Sequence, residues 1–213
     1  MNGILLIHGF CGARDEVLPL YNQLAKEYIV EMPLLRGHES DRAALARAKH
    51  TDWLFDTINA YEGLSEKCDN ITVIGFSMGG LLACRLYEKH KFDRLITINT
   101  PIYYWDIKRI LKNLLSAPKK YFKKYFTAST NKPFNSLLEF VKLLSSTKKK
   151  FSDINCPTLI IQVQDDDTVN VKSGDYIYKS IKNAEIYKPE HGGHIILTSE
   201  HNDDVFNRIT KFL

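Results

Sequence analysis

Residues 71–83 constrain the fold of this chain more than any other stretch. They begin with the apolar, β-branched run Ile-Thr-Val-Ile, end with the helix-forming Leu-Leu-Ala, and hold Gly-Phe-Ser-Met-Gly between them at positions 75–79. A G-x-S-x-G sequence between a strand and a helix is typical of a sharp turn with the serine at its apex. The helix that follows directs its free N–H groups and positive dipole end toward that serine. The stretch predicts a buried strand, a tight turn at Ser77 and a helix; a turn whose serine has no catalytic role is the alternative.

The remaining apolar patterns alternate between strand and helix. Continuous apolar runs predict strands at residues 3–7, 28–32, 71–76, 93–99, 158–163 and 185–187, and helical spacing predicts helices at 16–28, 51–64, 81–90 and 203–213. Such alternation is typical of parallel βαβ units. The chain has 213 residues, of which 44% are apolar, enough for one domain with a sizeable core. We therefore predict an α/β fold: a mostly parallel, doubly wound sheet of about six strands.

Several classes of protein are disfavoured by composition. No apolar run approaches the roughly 18 residues of a membrane span, and the start of the chain has no basic segment of a signal peptide. We therefore expect a cytoplasmic location. The four cysteines are widely spaced and not grouped with histidines, which argues against disulfides and zinc. Neither a metal nor an organic cofactor is expected.

The segment between the fourth and fifth predicted strands differs in charge from the rest of the chain. Residues 101–151 hold twelve Lys or Arg and two acidic residues, while the net charge of the whole chain is +4. Apolar residues recur in this segment at helical spacing. We predict a helical cap at residues 101–150 inserted into a core of residues 1–100 and 151–213. Its lysines are expected on a solvated face, with weak contact to anionic lipid as the alternative. Neither nucleic-acid binding nor stable membrane insertion is expected, and no pattern indicates an oligomeric state.

Polar motifs follow the predicted strands at the ends where ligands bind in parallel sheets. His8-Gly9 follows the first strand, Ser77 the third, the aspartates 165–167 the fifth, and His194 the sixth. A serine hydroxyl needs an imidazole base, and that base needs a carboxylate to orient it. Chain order Ser, Asp, His suits such a set. The residues alone leave open which of the three aspartates contacts His194.

Acyl transfer also requires two N–H donors for the negative charge of its tetrahedral intermediate. The amide of Met78, directly after the serine, is expected to supply one. The amide of Phe10, in the loop after the first strand, is well placed for the other. His8 in the same loop is expected to be a structural histidine that bonds the turn.

Six short motifs together carry a resemblance that spans essentially the whole chain. They are His8-Gly9-Phe10-Cys11-Gly12, Arg36-Gly37-His38, Thr51-Asp52-Trp53, Gly75-Phe76-Ser77-Met78-Gly79-Gly80, Cys156-Pro157-Thr158 and Gly193-His194-Ile195-Ile196. In this order they resemble the bacterial carboxylesterases similar to monoacylglycerol lipases, in the α/β-hydrolase superfamily. Two departures concern substrate preference: Glu39 stands where glycine usually follows Arg-Gly-His, and Cys11 where threonine is frequent.

The resemblance implies a role for each candidate residue. Ser77 is the implied nucleophile, His194 the base and Asp166 the acid, with Asp165 as second choice. The amides of Phe10 and Met78 are the implied oxyanion hole. In this fold an insertion such as residues 101–150 covers the serine, and its apolar face, including Ile110 and Leu138, is expected to form the acyl pocket.

We therefore expect a serine carboxylesterase that hydrolyses small-molecule esters of short- to medium-chain acids through an acyl-enzyme. A monoacylglycerol lipase or a thioesterase is the alternative within the hydrolases. An inactive ligand-binding module on the same fold is the alternative outside them.

Overall fold

A computed structural model describes residues 1–38, 42–103 and 133–213. The described residues form one six-stranded sheet in the order β2-β1-β3-β4-β5-β6, and every neighbouring pair is parallel. The strands are β1 (Asn2–Ile7), β2 (Ile29–Glu31), β3 (Asn70–Phe76), β4 (Arg94–Ile98), β5 (Thr158–Ile161) and β6 (Ala184–Tyr187). The predicted α/β fold with a doubly wound parallel sheet is confirmed.

Helices flank the sheet. They are α1 (Leu18–Leu24), α2 (Arg42–Arg47), α3 (His50–Ser65), α4 (Met78–Tyr87), α5 (Phe134–Thr147), α6 (Lys172–Ser180) and α7 (Asn202–Phe212). Short 3-10 turns lie at Arg14–Glu16, Lys148–Asp153 and Ile196–Thr198. The sequence did not predict α6, because Ile177 is the one large apolar side chain that this helix buries, beside Ser173 and Gly174.

Apolar side chains cover both faces of the sheet. Because side chains alternate along a strand, Leu5 and Val73 face a cluster with α3, α4 and α5, whereas Ile4 and Ile74 face a cluster with α1 and α7. Burial on both faces explains why the strands are continuous apolar runs rather than alternating patterns.

The order of the strands reverses between β1 and β3. From β1 the chain continues through α1 to β2 on one side, whereas β3 and the later strands lie on the other side. At such a point the loops after the two strands diverge and leave a crevice at their carboxyl ends. The loop that contains Phe10 and the turn that contains Ser77 therefore lie at the same crevice.

The described part of the insertion packs on the core. Helix α5 contacts α2, α3 and α4, and its residues Phe140 and Leu143 are buried in the same cluster as those helices. Leu138 lies on the outer side of α5 and is 44% exposed. Ile110 lies outside the described residues, so its place in an acyl pocket stays a prediction, as does the division into core and cap.

In the three described ranges, no helix combines the length and the apolar character needed to cross a bilayer.

Candidate active site

The backbone at Ser77 makes a strained turn between β3 and α4. Ser77 has φ 51° and ψ −119°, a conformation that residues with a side chain rarely adopt. Its amide donates to the Ile98 carbonyl at 2.8 Å. A Cβ at Gly79 would overlap the carbonyl oxygen of Ile7, and one at Gly75 would overlap the backbone of Gly79. The two glycines are therefore required by the close approach of β1, β3 and α4.

His194 links the turn at Ser77 to the loop after β5. Its Nε2 lies 3.1 Å from Ser77 Oγ, and its Nδ1 lies 2.9 Å from Asp166 Oδ2. Because a carboxylate only accepts hydrogen bonds, Nδ1–H donates to Asp166, and Nε2 accepts from the serine hydroxyl. The imidazole is thus in the tautomer that can take the proton of Ser77.

Backbone amides hold the Asp166 carboxylate in place. Its Oδ1 accepts from the amides of Thr168 and Val169, each at 2.8 Å, and the residue is 1% exposed. Its neighbours bond elsewhere. Asp165 Oδ1 accepts from the Gly193 amide at 2.7 Å, and Asp167 Oδ1 accepts from the Thr168 hydroxyl at 3.2 Å. Asp166 is therefore the aspartate that meets the ring of His194.

The two residues expected to supply oxyanion donors lie next to Ser77 in the chain and in the loop after β1. Met78 is the first residue of α4, so its amide lies at the end of the helix where N–H groups have no helical acceptor. The loop after β1 approaches so closely that a Cβ at Gly9 would lie 3.3 Å from Ser77 Cβ. Phe10, Ser77 and His194 together line a cavity of about 610 Å³.

Aromatic rings support the loop after β1. Phe10 stacks on Phe140 of α5, with ring centroids 4.9 Å apart and planes 17° apart, and it also contacts Trp53 at 5.8 Å.

His8 is fully buried. The Leu35 amide donates to its Nε2 at 3.4 Å, so His8 Nδ1–H donates to the Gly9 carbonyl at 3.0 Å. His8 thus holds the loop, as the sequence analysis expected.

One observation separates the cavity from the expected acyl pocket. Leu138 is not among the residues that line the cavity; the apolar lining includes Phe10, Phe76 and Ile195. Sequence reasoning also missed Asn99, a fully buried residue whose carboxamide donates to the His194 carbonyl at 2.8 Å. The one local signal for Asn99 was its side-chain type, since asparagine tolerates the left-handed backbone (φ 48°) that it adopts after β4.

A parallel sheet with a serine at a strained strand-to-helix turn, and a histidine and an acid after later strands, defines the α/β-hydrolase class. A family model described as the alpha/beta hydrolase family matches residues 4–208, so the chain belongs to that family. It is 31% identical over 195 residues to a thermostable monoacylglycerol lipase of Bacillus sp. (strain H-257), covering 86% of this chain and 78% of that one.

Solved structures share the fold. One described among the metagenome-derived lipolytic enzymes LipS and LipT is 22% identical, with a TM-score of 0.82 over 99% of this chain and 92% of that one. A lipase-esterase related protein from Clostridium acetobutylicum ATCC 824 is 19% identical, with a TM-score of 0.72 over 100% and 94%. The family and the lipase relative support an ester hydrolase.

Proposed function

We propose that this chain is a serine carboxylesterase that hydrolyses esters of short- to medium-chain acids. Ser77 is the nucleophile, His194 the general base and Asp166 the residue that orients the base. One observation carries the proposal: the continuous contact from Ser77 Oγ to His194 Nε2 at 3.1 Å and from His194 Nδ1 to Asp166 Oδ2 at 2.9 Å. A serine without such a base is a poor nucleophile.

Acylation follows from this geometry. Ser77 Oγ attacks the ester carbonyl carbon while its proton passes to His194 Nε2, and the Asp166 carboxylate stabilises the resulting imidazolium. The amides of Met78 and Phe10, together with the positive end of α4, stabilise the negative charge on the carbonyl oxygen. His194 then gives its proton to the leaving alcohol, which departs and leaves an acyl group on Ser77.

Deacylation repeats the sequence with water. His194 takes a proton from a water molecule, whose oxygen attacks the acyl carbonyl. When the resulting tetrahedral intermediate collapses, His194 gives that proton to Ser77 Oγ and the free acid leaves. The apolar cavity wall, which includes Phe10, Phe76 and Ile195, suits the acyl chain. The insertion at residues 101–150 is proposed to cover the serine, since Phe140 of α5 stacks on Phe10 beside it.

Monoacylglycerols form the second candidate substrate class, because the 31% identical relative is a monoacylglycerol lipase. Thioesters remain a third, since the same three side chains serve thioester hydrolysis equally well. The relevant measurement is kcat/KM across p-nitrophenyl esters of graded chain length, a monoacylglycerol series and acyl thioesters.

Covalent labelling tests the serine mechanism directly. A fluorophosphonate probe should label the unaltered protein on Ser77 and should not label Ser77→Ala. Ser65→Ala, a change at an exposed serine near the end of α3, is the matched control and should label fully. An unaltered, folded protein that neither labels nor hydrolyses any ester of the panel would instead be a ligand-binding module.

A further inference from the structure

We infer that Asn99 is a positioning residue for His194, and that its carboxamide couples the loop of the base to the loop of the acid. This inference rests on the proposed function. Asn99 directly follows β4, between the strand that leads to Ser77 and the strand that leads to Asp166. Its amide donates to the Ile161 carbonyl at 2.8 Å and so extends the β4–β5 pairing by one residue.

All hydrogen-bonding capacity of the Asn99 side chain is used. Nδ2 donates to the Gly193 carbonyl at 3.2 Å and to the His194 carbonyl at 2.8 Å. Oδ1 accepts from the Val163 amide at 2.9 Å and from Gln162 Nε2 at 3.4 Å. A carboxamide has two such donors and two acceptor sites. The opposite amide orientation would set oxygen against two carbonyls, so the surroundings determine which way the group points.

The loop that Asn99 holds is otherwise weakly defined by its own backbone. Gly192 and Gly193 have φ 131° and 66°. Fixing two neighbouring glycines in one conformation costs much conformational entropy. Asp165 accepts from the Gly193 amide on one side, and Asn99 donates to the Gly193 and His194 carbonyls on the other. The peptide units on both sides of Gly193 are thus held by polar side chains.

The same carboxamide reaches the acid loop. Val163, whose amide donates to Asn99, lies three residues before Asp166. Asn99 therefore sets the position of the His194 backbone relative to the start of the loop that carries the acid. Because the reach of an imidazole is fixed, a shift between these two loops changes both the contact with Asp166 and the contact with Ser77. Misplacement by about 1 Å costs roughly 10²-fold in rate.

Two variants separate side chain from backbone. Asn99→Asp keeps the shape and the acceptors and removes both donors to the His194 loop. Asn99→Gly keeps the left-handed backbone and removes the whole side chain. Asn70→Asp, at an exposed asparagine at the start of β3 that bonds Asn2, is the matched control. Each is assayed for kcat/KM on p-nitrophenyl butyrate and on methyl butyrate, with circular dichroism to measure the folded fraction.

The readout is the ratio of kcat/KM on the two substrates, which a purely structural role of Asn99 would not change. Nitrophenolate leaves without a proton, whereas methoxide requires one from His194. We expect both Asn99 variants to lose about 10- to 100-fold on the nitrophenyl ester and about tenfold more on the methyl ester. Asn70→Asp should stay within about twofold on both. Equal losses on the two esters that follow the folded fraction, or no loss, would overturn the inference.

A measurement on the unaltered protein tests the inference even if the Asn99 variants do not fold. The side-chain amide protons of Asn99, followed by NMR, should exchange with solvent at least about 100-fold more slowly than those of Asn70. Comparable exchange rates would show that the hydrogen bonds of the Asn99 carboxamide do not persist in solution and would overturn the inference. Because exchange requires no activity, this result is independent of the fluorophosphonate labelling that tests the proposed function.

Discussion

Two regions of the site are positioned in opposite ways. The serine corner, residues 75–80, is built from consecutive residues whose backbone and missing Cβ atoms force the turn. The histidine loop, residues 191–195, has two glycines at positive φ and is bonded by Asp165, Asp166 and Asn99, side chains far away in sequence. The position of Ser77 is therefore encoded mainly by consecutive residues, and the position of His194 by long-range hydrogen bonds. Substitutions in the two regions should therefore differ in whether they mainly lower stability or mainly lower the rate.

The largest effect should come from removing the groups that the two regions bring together. Ser77→Ala or His194→Ala should each lower kcat/KM for p-nitrophenyl butyrate by about 10⁴-fold or more, and the double variant should be hardly worse than either single one. Non-additivity is expected because the two side chains act as one unit. Activity within tenfold of the parent for purified Ser77→Ala would remove the serine mechanism.

The next effect tests the link between base and acid. Asp166→Asn should lower kcat by about 10³- to 10⁴-fold, because an amide donor opposite Nδ1 favours the wrong imidazole tautomer. Fluorophosphonate labelling should slow in parallel while the thermal midpoint changes little. A variant that labels at the parental rate would separate Asp166 from catalysis.

Replacing one glycine in each region compares the effects on stability and on rate. A Cβ at Gly193 meets no atom within 4 Å, so Gly193→Ala suffers backbone strain at φ 66° alone, about 1–2 kcal/mol. We expect a loss of about tenfold in kcat with a protein that still folds. Gly79→Ala, whose Cβ would overlap the Ile7 carbonyl oxygen, should instead destabilise the fold. The two are compared by urea denaturation and by rate per folded molecule, and the same outcome for both would contradict the distinction between the regions.

A smaller effect separates the aspartates beside Asp166. Asp165→Asn keeps an acceptor for the Gly193 amide but removes the charge, so kcat should fall by less than about tenfold. Asp167→Asn, the control, keeps an oxygen that can accept from the neighbouring Thr168 hydroxyl and should have less effect still. A loss confined to Asp165→Asn and as large as that predicted for Asp166→Asn would mean that the acid is one residue earlier.

The smallest effect is expected for a polar contact outside the site, between His50 of α3 and Glu139 of α5. It shows how much such a long-range contact contributes to stability alone. His50 donates through its amide (3.1 Å) and Nδ1 (2.6 Å) to Glu139, and this hydrogen bonding, with Lys142, lowers the Glu139 pKa from 4.5 to about 2. A lowered pKa stabilises the fold above the ordinary value, and the stabilisation disappears as pH falls toward 2. Glu139→Gln should lower the free energy of unfolding by about 0.5–1 kcal/mol at pH 7.

The pH dependence of that difference is the test. The deficit of Glu139→Gln, measured by urea denaturation, should shrink below pH 4.5, where the carboxylate of the unfolded parent begins to protonate while that of the folded parent stays ionised. Glu27→Gln, at an exposed position, should match the parent at every pH. A deficit that stays constant down to pH 3 would assign the effect of Glu139 to packing rather than charge.

The same contrast explains what the sequence could predict. The strand, turn and helix around Ser77 were predicted because consecutive residues carry the whole signal. The fold class followed from apolar runs that are buried on both faces. Asn99 was missed because nothing in residues 97–101 indicates which loop the carboxamide reaches; the partners of its side chain lie 63 to 64 and 94 to 95 positions away.

Helix α5 shows the same limit for apolar residues. Helical spacing marked Leu138 as an apolar position but did not indicate the direction in which it would face, and Leu138 is 44% exposed. Phe140 and Leu143 on the same helix are buried against the core instead. Periodicity predicts that a helix has an apolar face, whereas its neighbours determine which residues are covered.

The stack of Phe10 on Phe140 has a consequence for engineering. Insertions in hydrolases of this type are attractive targets for exchange when a new substrate range is wanted. Here the donor segment would have to present a flat ring at position 140, since the loop whose Phe10 amide is the proposed oxyanion donor rests on that ring. A chimaera built for specificity alone would alter the turnover number along with the substrate range.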